Sequence, residues 1–163
     1  MKKVLALGLL LATASASAAG LTGTDTAFLA KAVRGNNFEI EAAKLALKMS
    51  RSEFNRTYAR QMIADHTMLG AQVKTAVMNA APGMQLPTTV TYKQWDMLQA
   101  LKASGRGFDN LYRRQMISSH RETYNLFNAY SHSQNANRGL QQVIVAAKPK
   151  VHMHWNHAFN LAQ

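Results

Sequence analysis

The chain has 163 residues, with 19 Lys plus Arg against 8 Asp plus Glu, 9 Met and no Cys. This allows one domain of ordinary size and excludes a disulfide or thiolate–metal scaffold. Charged residues are 17% and hydrophobic residues 47%, too apolar for a disordered polyelectrolyte despite a formal net charge of +11.

Met1 to Gly20 reads Lys2-Lys3, an apolar run from Val4 to Ala12, then small residues from Thr13 to Ala19. A positive start, a short apolar stretch and an Ala-x-Ala site predict a secretory signal peptide. The expected cut follows Ala18, with a cut after Ala19 as the alternative, leaving 19–163 as a single domain. The apolar run is far short of the roughly 20 residues that a membrane span needs. The expected compartment is periplasmic or otherwise secreted. Loss of Lys2 and Lys3 lowers the formal charge to +9, a surface suited to solubility, anionic envelope polymers or a membrane surface rather than nucleic acid.

From Thr24 onward the apolar residues recur at spacings of three and four, the helical signal. A first helix is expected over Asp25–Met49, with Leu29, Ala32, Asn36, Ile40, Ala43 and Leu47 on its inner stripe. Ser50-Arg51-Ser52-Glu53 has the form of a capping box, which ends that helix and starts the next. The second helix carries Ala59, Met62, Ile63, His66, Leu69, Val73 and Val77 to about Ala80, where Pro82-Gly83 stops it. After a loop to Thr91, Tyr92–Ala103 forms a short helix packing Trp95, Leu98 and Leu101 across the bundle. A third long helix follows over Phe108–Ser133, with Leu111, Tyr112, Met116, Thr123, Phe127 and Tyr130 inward. Arg138–Ala147 is helical, Pro149 kinks or restarts that helix, and Val151–Ala162 is the last piece. Long helices with short connections predict an all-α, antiparallel four-helix bundle with a short extra helix between helices two and three.

At about 100° per residue, each long helix offers one polar candidate to the interior. Glu39 falls on the flank of the first stripe, His66 lies in the middle of the second, His120 nearer the edge of the third, and His154 beside Val151 and Ala158 on the last. Taken singly, a histidine on an apolar face is more often a hydrogen-bonded core residue than a ligand. One candidate on each of four helices is how a bundle builds a metal site, and one carboxylate with three imidazoles suits Cu(II), Zn(II) or Fe(II) alike. Met62, Met116 and the C-terminal His157 are weaker candidates for a soft site, since the two methionines also read as core fillers. Asp65 is a candidate to orient an imidazole N–H. Di-iron carboxylate chemistry is disfavoured, because no acidic residue has His three positions later.

Thr24-Asp25-Thr26-Ala27-Phe28-Leu29, Phe38-Glu39-Ile40-Glu41, Tyr58-Ala59 with Met62-Ile63-Ala64-Asp65-His66, Phe108-Asp109-Asn110-Leu111-Tyr112, His120 with Leu126-Phe127, and Pro149 followed by His154 together resemble the bacterial domain of unknown function 4142. The resemblance implies a ferritin-like four-helix bundle on secreted, often periplasmic, proteins, and makes Glu39, His66, His120 and His154 the family positions. The residue before the third-helix histidine is often acidic in that family and is Ser119 here. The combined expectation is a secreted protein that binds a transition metal in its bundle core, for binding or stress protection rather than turnover. A non-metal envelope protein with a basic surface, and a metal-dependent oxidase or peroxidase-like enzyme, are the alternatives.

Overall fold

The structure is a computed structural model and describes residues 20–162; the expected leader lies outside the described residues. Five helices follow in order: α1 Gly23–Met49, α2 Glu53–Ala80, α3 Tyr92–Ala103, α4 Phe108–Ser131 and α5 Arg138–Ala158. Among the described residues there is no strand, and no helix is long and apolar enough to cross a membrane. The chain is all-α.

Local chemistry fixes the helix ends. Thr22 opens α1 with a reciprocal box: its Oγ1 accepts the Asp25 N–H at 3.2 Å, and Asp25 Oδ2 accepts the Thr22 N–H at 2.6 Å. At the α1–α2 junction the capping role falls to Ser52, whose hydroxyl oxygen accepts the Asn55 N–H. Ser50, which the sequence suggested as the cap, instead ends α1 and turns its hydroxyl to Asp109. Gly83 stands at φ +90°, a left-handed conformation open to glycine, just beyond α2.

Hydrogen bonds between distant segments show how the four long helices run. Asp25 at the start of α1 meets Tyr130 at the end of α4. Ser50, just past α1, meets Asp109 at the start of α4. Asn55 near the start of α2 meets Ala162 beyond α5. Arg113 in the first part of α4 reaches Phe159, just past α5. Neighbouring helices are therefore antiparallel, packed in the cyclic order α1, α2, α5, α4, while α3 lies against α1 and α4.

The structure further corrects the sequence reading at three places and decides between its two alternatives at a fourth. The buried row of α1 is Phe28, Leu29, Phe38, Glu39, Ala42, Ala43 and Ala46, so Asn36, Ile40 and Leu47 move to the half-buried flanks. Small alanines let the helix backbones approach closely, and the larger residues fill the sides. On α4, Gln115 and His120 join the buried row while Leu111 and Thr123 sit beside it. Trp95 is 54% exposed, because only the second half of α3, through Leu98 and Leu101, reaches the bundle. Finally, α5 is one helix with Pro149 inside it. The carbonyl that loses its N–H partner belongs to Val145, an exposed residue. Ile144 and Val151 meanwhile bury the helix on either side of the proline.

The core falls into two apolar clusters. One gathers Phe38, Ala42, Met62, Tyr112, Met116 and Ala158; the other gathers Phe28, Val73, Phe127, Leu140, Ile144 and Val151. On every long helix the residue between them is polar: Glu39, His66, His120 and His154, each no more than 2% exposed. A polar layer thus crosses the bundle between two apolar blocks.

Candidate metal centre

Each histidine in this layer comes from a different helix, and the three rings pack together with centroids 5.4, 5.7 and 5.8 Å apart. One ring nitrogen from each lies within 4.8 Å of those of the other two. The buried triad could hold a metal ion.

The hydrogen-bond partners determine which nitrogen of each ring carries its proton. His66 Nδ1 meets Asn36 Oδ1 at 3.0 Å, His120 Nδ1 meets the Met116 carbonyl at 2.9 Å, and His154 Nε2 meets Asp65 Oδ2 at 2.9 Å. All three partners are acceptors, so each ring donates at that position and keeps a lone pair on its other nitrogen. Those other nitrogens, His66 Nε2, His120 Nε2 and His154 Nδ1, are buried and have no hydrogen-bond partner among the described residues. Buried polar atoms are rarely left unpaired. Three such lone pairs in one layer are what a cation requires, and fixed N–H groups behind them are what metal-binding imidazoles use.

Burial favours the neutral form of His66 and His154. Burial pushes the His66 ring below its usual range, against the opposing pull of Glu39. Burial, reinforced by the neighbouring His66 and His120 rings, takes His154 down to about 4. A neutral imidazole is the form that binds metal.

Glu39 lies against the Nδ1 side of the His66 and His120 rings. Its Oε2 is 3.2 Å from His66 Nδ1, and its Oε1 is 3.7 Å from His120 Nδ1. Ser119 donates its hydroxyl to Glu39 Oε1 at 2.6 Å. Burial acts to raise the Glu39 carboxyl; the charge that the His120 and His66 rings carry when protonated, together with the Ser119 hydroxyl, acts the other way and holds the group below its ordinary value. Glu39 Oε2 has no hydrogen-bond partner.

Asp65 bridges His154 to the surface: its other oxygen pairs with Lys150 Nζ at 2.9 Å. Burial works to raise its carboxyl, and Lys150 and His154 bring it below the usual range. A small cavity of about 180 Å³ between α2 and α5 is lined by Asp65, Lys150, His66 and His154, so a way in from solvent adjoins the triad.

The remaining candidates lie elsewhere. Met62 and Met116 are fully buried within the first apolar cluster, and His157 is exposed on α5; none belongs to the triad. Asn36 escaped the sequence reading as a partner of His66, although its place on an otherwise apolar stripe was the available signal. A model of the family described as Domain of unknown function (DUF4142) matches residues 10–161. Comparison with curated proteins finds no match, and comparison with solved structures finds none either.

Proposed function

The chain belongs to the DUF4142 family, and we propose that it is a secreted metal-binding protein, ferritin-like in build, which holds one divalent transition-metal ion through His66, His120 and His154. The observation that carries this reading is the set of three buried ring nitrogens without partners, each on a ring whose other nitrogen is already engaged. Three imidazole donors suit Zn(II), Cu(II) or Fe(II), with a fourth position left for water or another small donor. Asp65 and Asn36 hold ring orientation, and the Glu39 carboxylate offsets the charge of the ion from behind. The role is storage or protection under metal or oxidative stress rather than turnover, and the amino-terminal leader directs the protein to the periplasm.

The test is elemental analysis of the mature protein after incubation with each ion and desalting, repeated for His66→Ala and His120→Ala. One ion per chain is expected in the parent and a small fraction of that in either variant, with helical content unchanged by circular dichroism. Equal metal content in parent and variants, or none in the parent, overturns the proposal.

A further inference from the structure

The outer seam between α4 and α5 carries a continuous row of rings. Tyr124 of α4 meets His152 at 5.3 Å and Trp155 at 5.9 Å between centroids, and Trp155 meets Phe159, just past α5, at 6.4 Å. Tyr124 and Trp155 are half-buried, His152 is exposed and Phe159 is 50% exposed. Helical spacing continues the row along α5 to Val145, which is 51% exposed. Apolar side chains scattered singly on a surface are ordinary, but a contiguous set marks a place that meets something less polar than water.

Cations frame these rings. Lys148 Nζ stands 6.0 Å from the centre of the Tyr124 ring, Arg113 holds the Phe159 carbonyl at the other end, and exposed Arg121 falls one turn before Tyr124 on α4. Lys148 and Arg113 donate only to neutral acceptors. Among the described residues none of the three cations forms an ion pair. No Asp or Glu follows Glu122 in the sequence, so α5 has no acid at all. The two acids of α4 are turned elsewhere, Glu122 to the Ser118 hydroxyl and Asp109 to Ser50 and Asn55. The charge of this face is therefore left uncompensated by the chain.

Rings beside lysine and arginine suit the headgroup region of a bilayer, where phosphates meet the cations and apolar bodies reach the acyl boundary. A soluble polyanion would engage the cations and leave the row of rings and Val145 without a partner. An apolar protein surface would leave the cations without one. We propose that this seam docks the protein on a membrane surface rich in anionic phospholipid, with Arg113, Arg121 and Lys148 at the phosphates and Trp155, Phe159 and Val145 at the boundary beneath them. The contact is peripheral and needs no metal ion.

The experiment is flotation of the full mature chain, in excess chelator, with vesicles of phosphatidylcholine alone and of phosphatidylcholine mixed equally with phosphatidylglycerol. Binding to the mixed vesicles is expected to be at least tenfold tighter than to the neutral ones, and to weaken sharply in about 0.5 M NaCl. Phe159→Asp and Arg121→Glu are each expected to lower it by about fivefold or more. Two variants away from the seam serve as controls and should stay within about twofold of the parent. Trp95→Asp removes an exposed aromatic side chain from α3, and Lys31→Glu makes the same charge change as Arg121→Glu on α1. The chain has two tryptophans, so Trp95→Asp also leaves Trp155 as the sole fluorophore, and phosphatidylglycerol with brominated acyl chains should quench it. Thermal melts confirm that each variant is folded.

Absence of binding to the mixed vesicles, or of Trp155 quenching, overturns the proposal. Equal losses with Lys31→Glu and Arg121→Glu overturn it as well, since net charge alone would then account for the attraction. A loss with Arg121→Glu and none with Phe159→Asp would assign the face to a soluble polyanion, and the reverse pattern to an apolar partner; either refutes the membrane contact. The chelator keeps the result independent of the metal proposal.

Discussion

Replacing Asp65 with Asn tests the link between the hydrogen-bond pattern and metal binding most directly. Asp65 does two things to His154: it accepts the Nε2 proton at 2.9 Å and so leaves Nδ1 as the donor atom, and it lends the ring negative charge. The variant keeps the size of the side chain but removes the charge. It also introduces an NH₂ group that can face Nε2, which would move the ring proton to Nδ1 and close the donor position. Removal of such a supporting partner typically costs 10–100-fold in metal affinity, about 1.4–2.8 kcal/mol. The fold itself should change little, because the Asp65–Lys150 pair has a half-exposed lysine and such surface pairs contribute about 0–1 kcal/mol. The assay is competition for Zn(II) against a chromophoric chelator, with a thermal melt of the metal-free protein as control. We expect a zinc affinity 10–100-fold weaker and a metal-free melting temperature within a few degrees of the parent. An affinity within twofold of the parent, with the fold intact, would refute the claim that Asp65 sets the protonation of His154.

Three further outcomes follow from the packing. Pro149→Ala restores an N–H in mid-α5 at an exposed position and should stabilise the protein by about 1–3 kcal/mol, read as a higher urea midpoint; an unchanged or lower midpoint would show that the proline is needed by the bundle. Leu140→Ala empties a fully buried position and should cost about 2–5 kcal/mol, measured by the same denaturation. For Asp25, burial acts to raise the carboxyl, but the Thr22 N–H, the Tyr130 hydroxyl and the Asn137 N–H hold it below its ordinary value. A depressed carboxyl gives stability that is present above its unfolded pKa of about 3.9 and lost as pH falls through the folded value. Asp25→Asn should therefore be less stable than the parent at pH 6, with the difference shrinking toward pH 2 in acid denaturation; a constant gap would contradict this.

Some of this molecule could be read from its residues. The stop at Pro82-Gly83 and the bounds of the short helix Tyr92–Ala103 follow from local chemistry that acts within a few residues. The inner row of α1 followed only in part: Leu29 and Ala43 were legible, but hydrophobicity favours Ile40 and Leu47 where the buried positions are Ala42 and Ala46. Glu39 consequently looked like a flank residue, and its burial depends on Ser119 of α4, whose contact no local pattern encodes. The Asp25–Tyr130–Asn137 tie was equally hidden, since its members lie at opposite ends of the sequence. Pro149 left two readings open, a kink within one helix or a restart, and the structure has one helix running through it.

The polar layer between the two apolar clusters also dictates alignment. Aliphatic side chains tolerate many neighbours, so a bundle packed by them alone can slide by a helical turn, about 5.4 Å, at modest cost. Here such a slip of α4 would carry His120 in among aliphatic side chains and take Ser119 away from Glu39, stranding a buried carboxylate without its partner. Leaving a buried polar or charged group uncompensated costs several kcal/mol. The same four residues that make the interior polar therefore lock the helices against translation along their own axes.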